Sequence, residues 1–263
     1  MPAIYAHDRF GKKVYNKLDG NLKRIVSENY EQYRIGLQGP DIFFFYKPLK
    51  SNDVAKYGNH LHSISAYDFF ENAVNVLRKN EYAENEYAYI MGFICHYILD
   101  SECHGYVDEM IKELGVDHLE IEEEFEKMLL KKDGEDPIGY PLKNLIPQDE
   151  KTVVSIEPFY DDVIDKDVVR QSLKDMKMVK GVLYSKSRFG QWVRNTILKL
   201  AGKEEYKWIM HQIKDNPICE KSNTGLYKRF ENSVDIAAEM IKSFDDTLKN
   251  GEELNKRFDR NFE

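Results

Sequence analysis

"NEYAYIMGFICHYILD", residues 85–100, is apolar on nearly every face a helix would present. A surface helix has an apolar stripe and a polar back, so so uniform a segment reads as a helix buried among others. Working outward, "LHSISAYDFFENAVNVL", from Leu61, sets His62, Ala66, Phe69, Phe70, Ala73, Val76 and Leu77 at helical spacing. A third helix is expected from Asp117, an N-cap residue, through "HLEIEEEFEKMLLKK". Residues 133–150, "DGEDPIGYPLKNLIPQDE", are rich in turn formers and read as a long loop. More helices are expected around 158–183, 190–200, 204–214 and 226–249. No strand series, internal repeat or low-complexity run stands out. The fold class is all-α, a multi-helix bundle. The loop at 133–150 is either a domain boundary or a surface excursion. We favour one domain over residues 1–263, because the half at 1–132 looks too small to bury its helices without those of 151–263.

The totals narrow the function. With 263 residues, 42% hydrophobic and 32% charged, the chain has globular composition and ample material for a core. A net charge of -8 argues against a nucleic-acid backbone or an anionic membrane as the default partner, although it leaves room for a local basic rim. No nucleic-acid-binding patch is obvious. The opening "MPAIYAHDRFGKKV" lacks an apolar core of signal-peptide length, and no stretch approaches a transmembrane length. Cys95, Cys103 and Cys219 are odd in number and imply no disulfide framework. The expected location is cytoplasmic, with reduced thiols. The oligomeric state is not legible.

Just beyond the apolar helix the chemistry thickens. "HYILDSECHGYVDEMIKELGVDHLEIE", residues 96–122, holds three of the seven histidines, each near an acid. His96 and Asp100 are four apart and share a helix face, and His104 is four further on. His96 and His104 would then sit about 12 Å apart along the axis, at about 1.5 Å per residue. Zinc–ligand bonds are only about 2.0–2.2 Å, so one ion cannot readily hold both histidines. Asp100, between them, can bridge two ions through its two oxygens. His118 and Glu122 repeat the spacing, and with His104 they form a natural second set of three ligands.

Upstream, Asp41 follows a Gly-Pro break that favours a rigid turn. "GNHLHS" offers His60 and His62. Periodicity points His62 inward with Ala66 and Phe69, and His60 towards solvent with Tyr67, Asp68 and Glu71; the choice stays open. His7 is in phase with Phe10, Val14 and Leu18, so an inward His7 is expected. A lone histidine on an apolar face is usually a hydrogen-bonded core residue. Two His-x-x-x-acid pairs, a histidine between them, and further histidines and an aspartate upstream favour a multinuclear metal site enclosed by the bundle.

At these residues the chain resembles the zinc-dependent phospholipase C family, whose catalytic domain is an α-helical bundle holding three zinc ions. The resemblance rests on His7, Asp41 in its Pro-Asp turn, His62, the pair His96 and Asp100, His104, and the pair His118 and Glu122. It runs from residue 1 to about 130. "GLQGPDIFFFY" and "ICHYILDSECHGY" look especially like the intracellular bacterial branch. The resemblance implies a first zinc on Asp41, His62, His96 and Asp100, and a second on His104, His118 and Glu122. A third would use His7, the other oxygen of Asp100 and, after removal of Met1, the chain's amino terminus. Two or three zinc ions are expected, with another divalent metal as the alternative. Departures exist. The signal peptide and N-terminal tryptophan of the secreted enzymes are missing, the Asp100–His104 interval is two residues shorter, and nothing resembles the toxins' membrane-docking β-sandwich.

The implied activity is metal-assisted hydrolysis of a phosphodiester, phospholipid among the candidates, with Asp41 a secondary candidate for orienting or deprotonating water. The alternatives are a nuclease or small-molecule phosphodiesterase with a similar trinuclear site, and a non-catalytic helical metal-binding protein. Other features have blander readings. "FFFY" at 43–46 reads as partly buried core, Cys95 as a small buried residue, and Cys103 as facing about 100° away from His104 and off the metal. His211 reads as structural or surface, and Trp192 and Trp208 as packing for the second half. "EIEEEFEK" reads as a solvated face with Glu122 as its inward exception.

Overall fold

The segment at 85–100 forms the first half of a 31-residue helix, α6 (Glu84–Leu114), about 46 Å long at 1.5 Å per residue. From Tyr87 to Asp100 every residue is buried. Beyond Asp100 burial narrows to one face, Cys103, His104, Val107 and Met110. The helix stops at Gly115, whose φ of 68° is the left-handed conformation that suits glycine. The computed structural model describes residues 3–48, 50–160, 163–182 and 187–262, the side chains of Val182 and Glu205 excepted. Among these residues there are helices and no strands.

Before α6 come α1 (Ile4–Lys17), α2 (Gly20–Glu28), α3 (Tyr30–Gly36), a 3-10 turn at Gly39–Phe45, α4 (Asp53–Ser63) and α5 (Tyr67–Lys79). After it come α7 (His118–Lys132), α8 (Glu150–Val154), α9 (Lys166–Val182), α10 (Arg188–Leu200) and α11 (Glu220–Asn250), with short 3-10 turns between. Helix α6 packs chiefly on α3 and α11, so chain from both halves wraps it. One contiguous cluster of buried apolar residues runs from Ala3 to Phe262. The α3–α6 crossing is close because glycines face each other there. A Cβ on Gly36 would strike the Tyr89 carbonyl, and one on Gly92 the Tyr33 carbonyl. That approach brings the turn at Gly39–Phe45 onto α6 beside His96.

Four expectations are corrected. The helix from Leu61 is broken between α4 and α5: Ile64 is extended, the Ser65 hydroxyl accepts the Tyr67 N–H, and the Ala66 N–H donates to Arg260 O. Side-chain and tail acceptors replace the helical ones there. The helix at 158–183 begins only at Lys166, after a 3-10 turn at Glu157–Phe159; residues 161, 162 and 183 lie outside the described ones. Helix at 204–214 shrinks to a 3-10 turn, Glu204–Ile209. "EIEEEFEK" is not solvated: Glu120, Glu122, Glu123, Glu124, Glu126 and Lys127 are all buried.

The last two corrections share a cause. The carboxylates of α7 take backbone donors of the chain that follows the turn at Glu204–Ile209, inside and just beyond the expected helix at 204–214. Gln212 N–H donates to Glu123 Oε1 at 2.6 Å and Asn216 N–H to Glu124 Oε1 at 2.8 Å. Lys127 Nζ reaches Glu124 and the carbonyls of Gln212 and Lys214. A single ammonium thus serves Glu123, Glu124 and Asp215. Burial, with Glu124 alongside, outweighs Lys127 and raises the Glu123 carboxyl to about 8. A carboxyl that keeps its proton in the folded state favours folding at low pH, and that contribution falls as pH rises from its unfolded value towards 8. Glu123→Gln is therefore expected to flatten the loss of stability between pH 5 and 8 by on the order of a few kcal/mol. Thermal unfolding of both proteins across that range checks it; parallel profiles would contradict the assignment.

Candidate metal centre

Each expected ligand sits on an element whose sequence fixes its direction. On α1, His7 shares the buried face with Phe10 and Val14. Asp41 lies in the 3-10 turn that the Gly39-Pro40 step opens, buried with Phe43 and Phe45. On α4, His62 is buried and His60 exposed. Four residues apart on α6, His96 and Asp100 are fully buried. His104 follows one turn on, and His118 and Glu122 stand on the first turns of α7.

These side chains converge in three groups: His7, His96 and Asp100; Asp41, His62 and His96; and His104, His118 and Glu122. Within each group one ligand atom per residue lies within 4.8 Å of the others. The two oxygens of Asp100 face different histidines, His7 Nε2 at 3.4 Å and His96 Nε2 at 3.3 Å. Asp41 Oδ1 stands 3.0 Å from His62 Nε2 and 4.0 Å from His96 Nε2. His118 Nε2 is 2.5 Å from Glu122 Oε1. All eight expected residues therefore enter the groups. Asp100 falls with His7 and His96 rather than with Asp41 and His62, and His96 belongs to both buried groups. Met1 and its amino group lie outside the described residues.

The histidines are oriented by the backbone. His62 Nδ1 meets Gly58 O at 2.8 Å, His96 Nδ1 meets Leu37 O at 3.2 Å, and His104 Nδ1 meets Phe262 O at 2.6 Å. A carbonyl only accepts, so each Nδ1 carries a proton, which leaves each Nε2 as the atom that would face a metal. Metal-binding histidines are held in this way. Both nitrogens of His7, and Nε2 of His62 and of His96, are buried without a hydrogen bond of acceptable geometry. Such nitrogens are costly unless they have another partner, and a cation is the partner their carboxylate neighbours favour. The donors are nitrogen and oxygen only, as befits zinc in a reactive rather than a closed thiolate site.

Electrostatics agree. Burial works against ionising Asp41, yet its carboxyl is held below the ordinary carboxylate range, the hydrogen bond with His62 among the causes. Burial pushes the His96 imidazole down to about 3, against the pull of Asp100. A neutral imidazole beside an ionised carboxylate is the protonation state a metal requires, and His96 meets it. Asp41 and Glu122 instead raise His62 and His118 against the effect of burial, as a carboxylate does to an imidazole it pairs with. Of the eight side chains only His118 is substantially exposed, at 40%. The solvent side is therefore the His104–His118–Glu122 group. A small cavity beside Glu122 is lined by Ala3, Glu126, Lys180 and His211.

Several residues around the site gave no signal in the sequence. Phe262 closes over the buried groups, its ring 5.1 Å from that of His62 and 5.9 Å from that of His96. Gly39, with φ of 49°, leaves space that a Cβ would take from the His96 ring. His211 bridges Pro137 O and Glu126, while Glu126 Oε1 accepts the Tyr5 and Ala6 amides at the start of α1. Lys180 donates to Ile209 O beside the same cavity. As expected, "FFFY" is partly buried core and Cys95 is buried; Cys103 and Cys219 are buried as well.

A helical bundle that gathers histidines and carboxylates into three groups, each able to hold a metal ion, defines a class: all-α proteins with candidate metal sites. Within that class the affiliation is specific. The sequence model of the family "Zinc dependent phospholipase C" matches residues 6–207, and the chain belongs to that family. No curated protein and no solved structure matches the chain. No helix among the described residues is long and apolar enough to cross a membrane.

Proposed function

We propose that the protein is a zinc-dependent phosphodiester hydrolase with a phospholipid as its substrate. The observation that carries this reading is the convergence of three ligand groups through inward-facing nitrogens, with Asp100 shared between His7 and His96. His7, His96 and Asp100 would hold one ion, Asp41 and His62 together with His96 an adjoining one, and His104, His118 and Glu122 the outermost. Ions held there supply Lewis-acid charge to phosphate oxygens and lower the pKa of water towards neutrality.

The chain's own residues do the rest. Asp41, buried and kept anionic, would orient a water or take its proton. The backbone carbonyls of Gly58, Leu37 and Phe262 keep the imidazoles in one tautomer, so no reorientation is needed as charge develops. Phe262, Phe44 and Phe93 surround the inner histidines with rings and keep bulk solvent from them. The shared core supports treating residues 1–263 as one functional domain.

A panel of phosphatidylcholine micelles, single-stranded nucleic acid and a chromogenic phosphodiester tests the reading. Release of phosphorylated headgroup from the micelles is expected. Cleavage of nucleic acid alone would make the protein a nuclease, and silence on all three with metal bound would leave a metal-binding scaffold. If Asp41 acts on water, Asp41→Asn lowers turnover by roughly a hundredfold while retaining most of the metal. Equal loss of metal and turnover would reduce Asp41 to a ligand.

A further inference from the structure

Helix α10 is built inside out. Its buried side is polar: Gln191 donates from Nε2 to His211 O and accepts the Ile213 N–H, and Asn195 donates to Gln212 Oε1. Its outer side is apolar. Phe189, Trp192, Ile197 and Leu200 are 72%, 63%, 59% and 83% exposed. At 100° per residue these four span an arc of roughly 140° centred opposite Gln191, with Trp192 at one edge. This corrects the expectation that Trp192 packs the second half. Phe189 and Trp192 stack on each other at 5.9 Å, forming one aromatic ridge. Large exposed apolar patches on a folded protein mark interaction surfaces.

Charge selects the partner. Helix α10 has no acidic residue. Between residues 187 and 207 stand Arg188, Arg194, Lys199, Lys203 and Lys207 against Glu204 and Glu205, a local excess of three positive charges in a chain of net -8. Arg188 and Lys199 border the apolar face on its Trp192 edge, and just beyond α10 Lys203 and Lys207 lie over the rings of Tyr206 and Trp208. Aromatic and aliphatic side chains on one face with basic residues at its margins are the pattern of a helix lying in a membrane interface. A second copy docked face to face would oppose like charges. The 209–213 segment beneath α10 also touches the centre's surroundings: Ile209 lines the cavity beside Glu122, and Gln212 is bonded by Glu123.

We propose that α10 is an interfacial anchor that docks the protein on an anionic phospholipid surface through Phe189, Trp192, Ile197 and Leu200, with Arg188 and Lys199 drawing it to the headgroups. The proposal rests on the phospholipid reading of the substrate and names how that substrate is reached. The net acidity of the chain keeps the rest of the molecule off such a surface, so the contact is confined to this helix.

The test is co-sedimentation of the full chain with phosphatidylcholine vesicles with and without phosphatidylglycerol, in parallel with turnover of a water-soluble chromogenic phosphodiester. Binding is expected to the anionic vesicles, to weaken with salt, and to fall roughly tenfold or more in Phe189→Ser/Trp192→Ser/Leu200→Ser and in Arg188→Glu/Lys199→Glu. Both variants should keep the wild-type unfolding temperature and soluble-substrate turnover, since the altered side chains are exposed and lie outside the metal centre. Binding without any turnover would sink the catalytic reading and leave the anchor standing. Failure of the wild type to bind vesicles, or equal binding by the triple variant, would overturn the anchor. So would a wild-type dimer that the triple variant abolishes, because the face would then belong to a second copy.

Discussion

Asp100→Asn is expected to strip the protein of about two metal equivalents and to lower turnover by roughly 10³-fold or more. The side chain keeps its size, so the loss is one of charge and of one oxygen donor. Asp100 is fully buried, and its two oxygens face His7 at 3.4 Å and His96 at 3.3 Å. Two ligand groups meet at His96, so weakening Asp100 disturbs both. His118→Ala makes the contrast. His118 is the partly exposed member of the outer group, and its removal is expected to release about one equivalent while the inner groups stay loaded. Elemental analysis of the two variants separates these outcomes. Equal metal loss from both would show that the three groups act as one indivisible site.

The largest expected effect on stability comes from a residue that touches no ligand. Gly92→Ala places a methyl against the Tyr33 carbonyl and the Gly36 backbone, where α3 and α6 cross. Backbone cannot swing away as a side chain can, so the helices must part. The cost is about 3 kcal/mol, the upper end of the usual range for overpacking. In a chain of this size that lowers the unfolding temperature by roughly 6–12 °C. The crossing sets the position of the 3-10 turn that carries Asp41 and of Leu37, whose carbonyl orients His96. Metal affinity is therefore expected to fall with stability. A variant that unfolds at the wild-type temperature would show that the crossing has slack.

How much of this was legible beforehand depended on the kind of information each residue carries. Helical period reveals which face of a segment is apolar, and His7 lies on such a face of α1, so its inward direction is legible; His62 is buried too, but the run from Leu61 that phases it with Ala66 and Phe69 breaks at Ile64. The four-residue spacing of His96 with Asp100, and of His118 with Glu122, needs only one helix to bring each pair together. What covers a polar face is different information. Glu123, Glu124 and Glu126 look like solvated helix surface because their partners are backbone N–H groups of residues 5, 6, 212 and 216, and a backbone donor has no letter in the sequence. The same bonds explain why 204–214 is mostly not helix. Trp192 was misread for the converse reason: an amphipathic pattern does not say which side faces in, and on α10 the polar side does. Phe262 lies 158 residues from His104, whose Nδ1 its carbonyl accepts, and no local pattern joins them.

The central claim is that the three groups hold metal. Elemental analysis of untagged protein, purified without chelator, tests it most directly. The account predicts about two to three zinc equivalents per chain, falling in Asp100→Asn and His118→Ala as described. A protein that arrives metal-free and takes up no added zinc would contradict it, and the converging histidines would then be packing alone.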